Sequence, residues 1–136
     1  MAGYSGRSLS QKLGIKPGFR IFVGHPPKPY VEIVGKLPEG ANLFTRATAS
    51  LDMVHLFVME AAGLAAKLRG FRKAIAPDGM IWVSWPKKAS GVVTDLSDVV
   101  IRDTGLALGL VDVKVCAVDE IWSGLKFVIP KKLRAF

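Results

Sequence analysis

The sequence predicts an α/β domain with a mostly parallel six-stranded sheet covered by helices on both faces. Apolar runs of strand length alternate with helical segments through the 136 residues, which is typical of such sheets. The last two runs are joined by about five residues, too few for a parallel crossover, so they form an antiparallel hairpin. The length fits one domain spanning residues 1–136, with no repeat or linker.

The first half of the chain contains three predicted strands. Residues 1–7 are small and polar and are expected to be mobile, and residues 8–13 form a short helix that Gly14 ends. The three prolines after His25 exclude a strand and start a helix whose face carries Tyr30, Val31 and Val34. The strands cover residues 19–24, 41–46 and 53–58.

The second half opens with the clearest helix, predicted over residues 60–76 and stopped by Pro77. Its apolar face contains Ala61, Leu64, Ala65, Leu68, Phe71 and Ile75. A turn over residues 77–79 leads into the central strand, residues 80–85, which is followed by Pro86, Lys87 and Lys88. Thr94 or Asp95 caps a helix that carries Leu96, Val99, Val100 and Leu106. Strands over residues 110–118 and 124–129 complete the sheet, the first with Val111, Val113, Val115 and Ala117 as its apolar side.

The composition bounds the compartment and the class of partner. The formal net charge of +8 favours anionic partners such as nucleotides, phosphates, nucleic acid or a membrane surface, although a solvated basic surface explains it equally well. The single cysteine, Cys116, lies in an apolar run and is expected in the core. Without a signal peptide or an apolar run of ~20 residues, the chain is expected to be soluble and cytoplasmic, with no membrane association.

The order of elements resembles the core of class I methyltransferases, which use S-adenosylmethionine on a Rossmann-like sheet. The features that carry this resemblance are the strand closed by Gly24, the strand at residues 53–58, the turn at residues 76–79 and the terminal hairpin. Residues 82–88, 94–96 and 115–126 also resemble a family of short bacterial proteins with no assigned function, over about Tyr4 to Arg134. This similarity implies a shortened core with strand order 2-1-3-4-6-5, one helix–strand unit missing and no catalytic residues carried over.

Ligands of doubly wound sheets bind beyond the carboxyl ends of the strands. The antiparallel hairpin places Trp122 and Ser123 beside Trp85 and Pro86, which predicts one pocket for a flat anionic molecule. The candidate ligand-binding residues are His25, Trp85, Lys87, Lys88, Ser90, Asp119, Glu120, Trp122 and Ser123.

Each candidate has a structural alternative. Lys87 and Lys88 either bind a phosphate or lie in a solvated loop. The two tryptophans either stack on an aromatic ring of a ligand or pack in the core. Asp119 and Glu120 are either an acid/base pair or two turn residues that face water. In the second case, Glu120 forms an ion pair with Lys87.

The two histidines are assigned different roles. His25 is either a general base or structural in its Pro-rich turn, and His55 is expected to be a core histidine. With one cysteine, the two histidines lack metal-ligand spacing, so no metal site is predicted. Two basic patches would suit nucleic acid, but this partner is less favoured because no recognised binding motif accompanies them. The patches consist of Arg69, Arg72, Lys73, Lys131, Lys132 and Arg134.

The cofactor turn departs from the methyltransferase pattern. The resemblance implies several glycines after the first strand and an acidic residue at the end of the second. Here Gly24 is followed by His25 and prolines, and Thr45 and Arg46 stand at the second position. We therefore predict no cofactor, and specifically no S-adenosylmethionine binding.

Three functions remain open from the sequence. The favoured one is a non-catalytic binding or regulatory domain, and the alternatives are a methyltransferase with a divergent cofactor site and an anion- or nucleic-acid-binding module. The exposed apolar edge at residues 41–46 further predicts a homodimer.

Overall fold

A computed structural model describes residues 8–134, so the expected mobility of residues 1–7 lies outside the described residues. The strands are β1 (Arg20–Gly24), β2 (Asn42–Phe44), β3 (Leu51–Phe57), β4 (Ile75–Pro86), β5 (Val111–Ala117) and β6 (Trp122–Val128). The α-helices are α1 (Leu9–Lys12), α2 (Tyr30–Val34), α3 (Leu64–Ala74) and α4 (Asp98–Ala107), with single 3-10 turns at Lys88–Ser90 and Lys131–Leu133.

The six strands form one sheet in the order β2-β1-β3-β4-β6-β5. The first four strands pair in parallel, and β6 pairs antiparallel with both β4 and β5. The predicted fold class, strand order and terminal hairpin are therefore confirmed. The sheet is Rossmann-like and places every parallel strand end on one side of the molecule.

The second strand is shorter than the predicted residues 41–46. After β2 the six residues 45–50 must return to the amino end of the sheet and pass β1 to reach β3. Because six residues span at most ~20 Å, a longer β2 would put its carboxyl end out of reach of β3. Leu43 in this edge is 42% exposed. Pairing of two copies through it stays a prediction.

The strands β3, β4 and β6 alternate residue by residue between two apolar clusters, one on each face of the sheet. We call these the α3/α4 face and the α1/α2 face after the helices that cover them. On the α3/α4 face, Ile81, Val83, Leu125 and Phe127 pack under the two longest helices. Gly105 of α4 lies so close to Phe127 that an added Cβ would sit 2.2 Å from the ring.

The α1/α2 face is covered by two helices of one turn each and is tied down by hydrogen bonds. Trp82 Nε1 donates to the Leu13 carbonyl at 2.9 Å, which docks the end of α1 on β4. His55 lies 2.7 Å from both the Tyr30 hydroxyl and Ser84 Oγ and is fully buried. Burial lowers the pKa of His55 to about 3. The prediction of a satisfied core histidine is confirmed.

Four local predictions need correction. Helix α3 starts at Leu64 rather than residue 60, and Ala65 on its predicted apolar face is exposed. The predicted turn at residues 77–79 lies within β4, where residues 76–79 bulge opposite the single residue Asp52. Ser97, not Thr94 or Asp95, caps α4, because tertiary hydrogen bonds engage the earlier pair.

The fourth correction concerns the edge strand β5. Val113 and Val115 were predicted on an apolar side, but each is 52% exposed. The ladder with β6 is irregular at Val113, between Asp112 and Lys114, so the alternation shifts there. Cys116 is only half-buried, against the prediction of a core position, because it packs on the α1/α2 face from this edge.

Candidate functional site

A cleft of about 630 Å³ lies beyond the carboxyl end of β4, on the α3/α4 face. Trp85 and Pro86 belong to the strand, and Lys87 and Lys88 follow it directly. The opposite wall comes from residues 91–94 and from Leu96, Ser97 and Asp98 at the start of α4. We call this site the β4 cleft. Its volume falls within the range typical of small-molecule sites.

Short hydrogen bonds hold the two lysines at the rim. The Lys87 amide donates to the Ile121 carbonyl at 2.8 Å, which fixes the strand end against the hairpin turn. Ser90 Oγ donates to the Lys87 carbonyl at 2.7 Å and accepts from the Val92 amide at 3.1 Å. Ser90 therefore shapes the turn that carries Lys88, and it is absent from the lining of the cleft.

The wall formed by residues 91–97 is tethered across the sheet edge. Thr94 Oγ1 donates to the Met59 carbonyl at 2.6 Å, and the Ala61 amide donates to Asp95 Oδ1 at 2.9 Å. Sequence reasoning missed these tethers because it assigned Thr94 and Asp95 to a helix cap. The only signal was the polar run before the helix, which is equally typical of a cap and of a tertiary tether.

The charges around the cleft favour an anion. Within residues 8–134 neither Lys87 nor Lys88 forms an ion pair, so the expected Lys87–Glu120 pair is absent. The acidic group in the lining, Asp98, is 3.6 Å from Arg102. The positive end of the α4 dipole, beginning at Ser97, adds to the potential of the lysines.

The hairpin lies where the sequence predicted, but it divides the predicted pocket. Pro86 pairs with Trp122, and Trp85 pairs with Ser123, as expected. Because adjacent residues of a strand point to opposite faces, Trp85 packs on the α3/α4 face and Trp122 on the α1/α2 face. The expectation of one pocket with both tryptophans is therefore wrong. Trp122 instead packs edge-on against Phe57, with ring centroids 5.3 Å apart.

The remaining hairpin candidates and His25 also lie outside the β4 cleft. Asp119 Oδ1 accepts from the amides of Ile121 and Trp122, both at 2.8 Å, so this carboxylate shapes the turn. Glu120 is exposed in the same turn, and Ser123 is half-buried in the ladder. His25 is exposed and lines two smaller clefts at the ends of β1 and β3, of about 290 and 190 Å³. Phe57, Val58 and Lys67 line both of them.

Several solved structures that are similar to this chain are methyltransferases. A SAM-dependent methyltransferase from Aquifex aeolicus has a TM-score of 0.62 and 12% identity, covering 88% of this chain and 87% of that one. A TehB-like SAM-dependent methyltransferase from Corynebacterium glutamicum has a TM-score of 0.58 and 10% identity over 90% and 85%. Magnesium protoporphyrin IX methyltransferase from Synechocystis, with bound SAH, has a TM-score of 0.57 and 10% identity over 90% and 78%.

These likenesses establish the fold of class I SAM-dependent methyltransferases, over most of this short chain. No protein-family model matches the chain, and no curated protein matches it by sequence. In the part of the chain that the structure describes, none of the helices has the length and apolar character needed to cross a membrane.

At the positions that the resemblance assigns to the cofactor, the residues differ from those expected for S-adenosylmethionine. Three of the five residues after Gly24 are prolines and have no amide to donate, and His25 adopts a left-handed φ of 54°. The glycine at position 24 is explained by packing within the sheet, since an added Cβ would lie 2.9 Å from Leu56 Cδ2. Beyond β2, Thr45 and Arg46 offer no carboxylate, and a guanidinium cannot accept hydrogen bonds from ribose hydroxyls.

Proposed function

We propose that this chain is a methyltransferase-fold binding domain that holds a small anionic ligand in the β4 cleft and catalyses no reaction. The observation that carries the proposal is the juxtaposition of Trp85, Lys87 and Lys88 on one cleft of about 630 Å³. Trp85 belongs to the strand, and the hydrogen-bonded turn fixes the backbone that carries both lysines. A flat anion packs on the apolar wall and places its charge at the rim.

The polar and apolar parts of the cleft suit different parts of such a ligand. Trp85 and Leu96 are almost fully buried and form the apolar base. The ammonium groups of Lys87 and Lys88 lie in a more solvated position, where they attract a phosphate or a carboxylate as point charges. Nucleotides and aromatic carboxylates combine both properties and are the ligand classes we expect.

The binding role is favoured over catalysis because the acid/base candidates of the sequence lie elsewhere. One carboxylate oxygen of Asp119 accepts hydrogen bonds from two turn amides, and His25 lines a different cleft. The acidic group of the β4 cleft, Asp98, is paired with Arg102 at 3.6 Å. This arrangement supports recognition of an anion and leaves no free general base at the rim among residues 8–134.

The test is a thermal-shift screen of nucleotides and aromatic carboxylates on the parent and on the double variant Lys87→Ala/Lys88→Ala. A ligand that binds the folded state raises the melting temperature by mass action. We expect the double variant to fold and to lose the response to aromatic carboxylates, which carry no phosphate. Lys131→Ala/Lys132→Ala is the matched control, since these adjacent lysines are exposed in a single turn near the end of the described chain. An equal response in Lys87→Ala/Lys88→Ala and the parent would refute the proposed site.

The second candidate function is a methyltransferase with a divergent cofactor site, and the fold alone favours it. Losing two charge-assisted hydrogen bonds of about 1.5–3 kcal/mol each weakens cofactor binding by about two to four powers of ten. We therefore expect no S-adenosylmethionine affinity tighter than about millimolar. Calorimetry is the measurement, and micromolar binding that disappears in His25→Ala or Trp85→Ala would put the methyltransferase first.

A further inference from the structure

A second basic site lies on the α1/α2 face, away from the β4 cleft. Lys114 of β5 and Lys126 of β6 are direct cross-strand partners, and Lys126 in turn pairs with Trp82 of β4. The side chains of one such row share a face of the sheet. Two lysines therefore stand side by side next to the buried Trp82, under the end of α1.

The C-terminal end of α1 lies over the two lysines. Lys114 Nζ donates to the Lys12 carbonyl at 3.0 Å, so this ammonium lies at the C-terminal end of the helix. Lys126 Nζ is 3.8 Å from the position of a Cβ on Gly14. Lys16, two residues further along, is close enough to repel the Lys126 ammonium. The ammonium groups of Lys114 and Lys126 therefore both lie near the end of α1, and the charge of Lys16 acts on Lys126.

Nothing acidic in the described residues balances this charge. Burial, followed by the charges of Lys114 and Lys16, lowers the pKa of Lys126. The ion pairs among residues 8–134 both belong to Arg102, whose partner Asp112 is the acidic residue of β5. Like charges directly opposite each other in a sheet destabilise it. The cluster therefore costs stability in the free protein, and an anion would remove that cost.

We propose that Lys16, Lys114 and Lys126 bind the phosphate group of a small molecule, such as a phosphate monoester or pyrophosphate. Three ammonium groups match a group that carries two or more negative charges, and each supplies charge-assisted donors to its oxygens. Lys126 is half-buried beside α1, a position that suits a compact phosphate group. A polynucleotide would instead need a line of exposed cations.

This site is independent of the β4 cleft. Lys87 and Lys88 follow the carboxyl end of β4, with the cleft on the α3/α4 face, whereas Lys126 pairs with the middle of β4 on the opposite face. Failure of one site to bind anions therefore leaves the other unaffected.

The experiment uses pyrophosphate as the probe, in calorimetry and in thermal shift against sodium chloride at equal ionic strength. Lys126→Met keeps the unbranched stem and removes the charge. We expect it to melt higher than the parent without pyrophosphate and to bind pyrophosphate about tenfold more weakly or worse. Lys114→Met, at an exposed position, should weaken binding in the same direction and serves if Lys126→Met does not fold.

Two controls separate this site from general charge effects. Lys131→Met removes an exposed lysine elsewhere and should leave binding unchanged. Lys87→Ala/Lys88→Ala should keep the part of the pyrophosphate response that depends on Lys126. The proposal is wrong if Lys126→Met and Lys114→Met bind pyrophosphate like the parent, or if sodium chloride stabilises the parent equally. Binding of an oligonucleotide without binding of pyrophosphate would also overturn it, in favour of a nucleic-acid surface.

Discussion

The two faces of the sheet are built by different means. On the α3/α4 face, helices of 11 and 10 residues press apolar side chains onto the strands. On the α1/α2 face, helices of 4 and 5 residues cannot cover the sheet by apolar contact alone. There the aromatic side chains of Tyr30 and Trp82 pack and also hydrogen-bond. The packing of apolar side chains therefore determines the structure of the α3/α4 face, and buried hydrogen bonds help to determine that of the α1/α2 face.

This difference predicts which changes destabilise each face. Apolar packing responds to changes of side-chain volume and is largely indifferent to pH. A buried polar network responds to the loss of one partner and to any proton that must enter it. The two proposed anion sites follow the same division, since the β4 cleft opens on the α3/α4 face and the lysine cluster on the other.

The largest effect should come from Gly105→Ala on the α3/α4 face. The new Cβ would lie 2.2 Å from Phe127, a fully buried ring, so α4 or the ring must shift. Overpacking of this kind costs about 3 kcal/mol of the free energy of unfolding. Urea denaturation measures it. Gly70→Ala in α3 is the control, because its Cβ meets nothing within 4 Å and should stabilise the helix slightly. Equal stability of the two variants would show that the packing at Phe127 is loose.

The α1/α2 face should show acid sensitivity through His55. Its folded pKa of about 3 lies below the unfolded value of 6.5, so the unfolded chain binds the proton first. The His55 contribution is complete above pH 6.5 and is lost as pH falls towards 3. At about 1.4 kcal/mol per pH unit, about 2 kcal/mol disappears between pH 6.5 and 5.

Denaturation at both pH values, in the parent and in His55→Gln, isolates this contribution from that of the carboxylates. We expect a shallower pH dependence in the variant. Nuclear magnetic resonance of the His55 ring gives a second measure, and charging of that ring above pH 5 in the folded protein would contradict the prediction.

A smaller loss should follow Ser84→Ala, which removes one partner of the same network. The His55 Nε2 atom, 2.7 Å from Ser84 Oγ, would be left without a partner in a fully buried position. Such a loss costs about 1–2 kcal/mol. Ser123→Ala is the control, since this side chain makes no hydrogen bond within residues 8–134. If both alanine variants lose the same amount, the network adds nothing beyond ordinary packing.

The contrast between the faces also marks how far the sequence predicts this structure. Period-two alternation, the short final connection and the resemblance together predict the sheet order and the pairing of Pro86 with Trp122. The same alternation was sufficient to place Trp85 and Trp122 on opposite faces, although we expected them in one pocket. Local periodicity therefore predicts on which face of the sheet each tryptophan packs.

What the sequence could not predict depends on contacts between distant residues. The hydrogen bonds of Thr94 and Asp95 reach across more than 30 residues, and nothing near them in the chain distinguishes a tether from a cap. The lysine cluster arises from three separate elements, with Lys16 and Lys126 more than 100 residues apart. Such sites appear only once the strands are in register.

The smallest effect should come from Asp95→Ala, which cuts one tether of the β4 cleft wall. Asp95 Oδ1 accepts the Ala61 amide at 2.9 Å in an exposed position, so its loss should cost about 0.5–1 kcal/mol. The local consequence is larger than the global one, because the Ala61 amide loses its partner. We expect faster hydrogen exchange at Ala61 and little change at Val83, which lies in the middle of β4. Asp103→Ala, an exposed change within α4, is the matched control and should leave exchange at Ala61 unaltered. Unchanged exchange at Ala61 in Asp95→Ala would mean that Thr94 alone holds the wall in place.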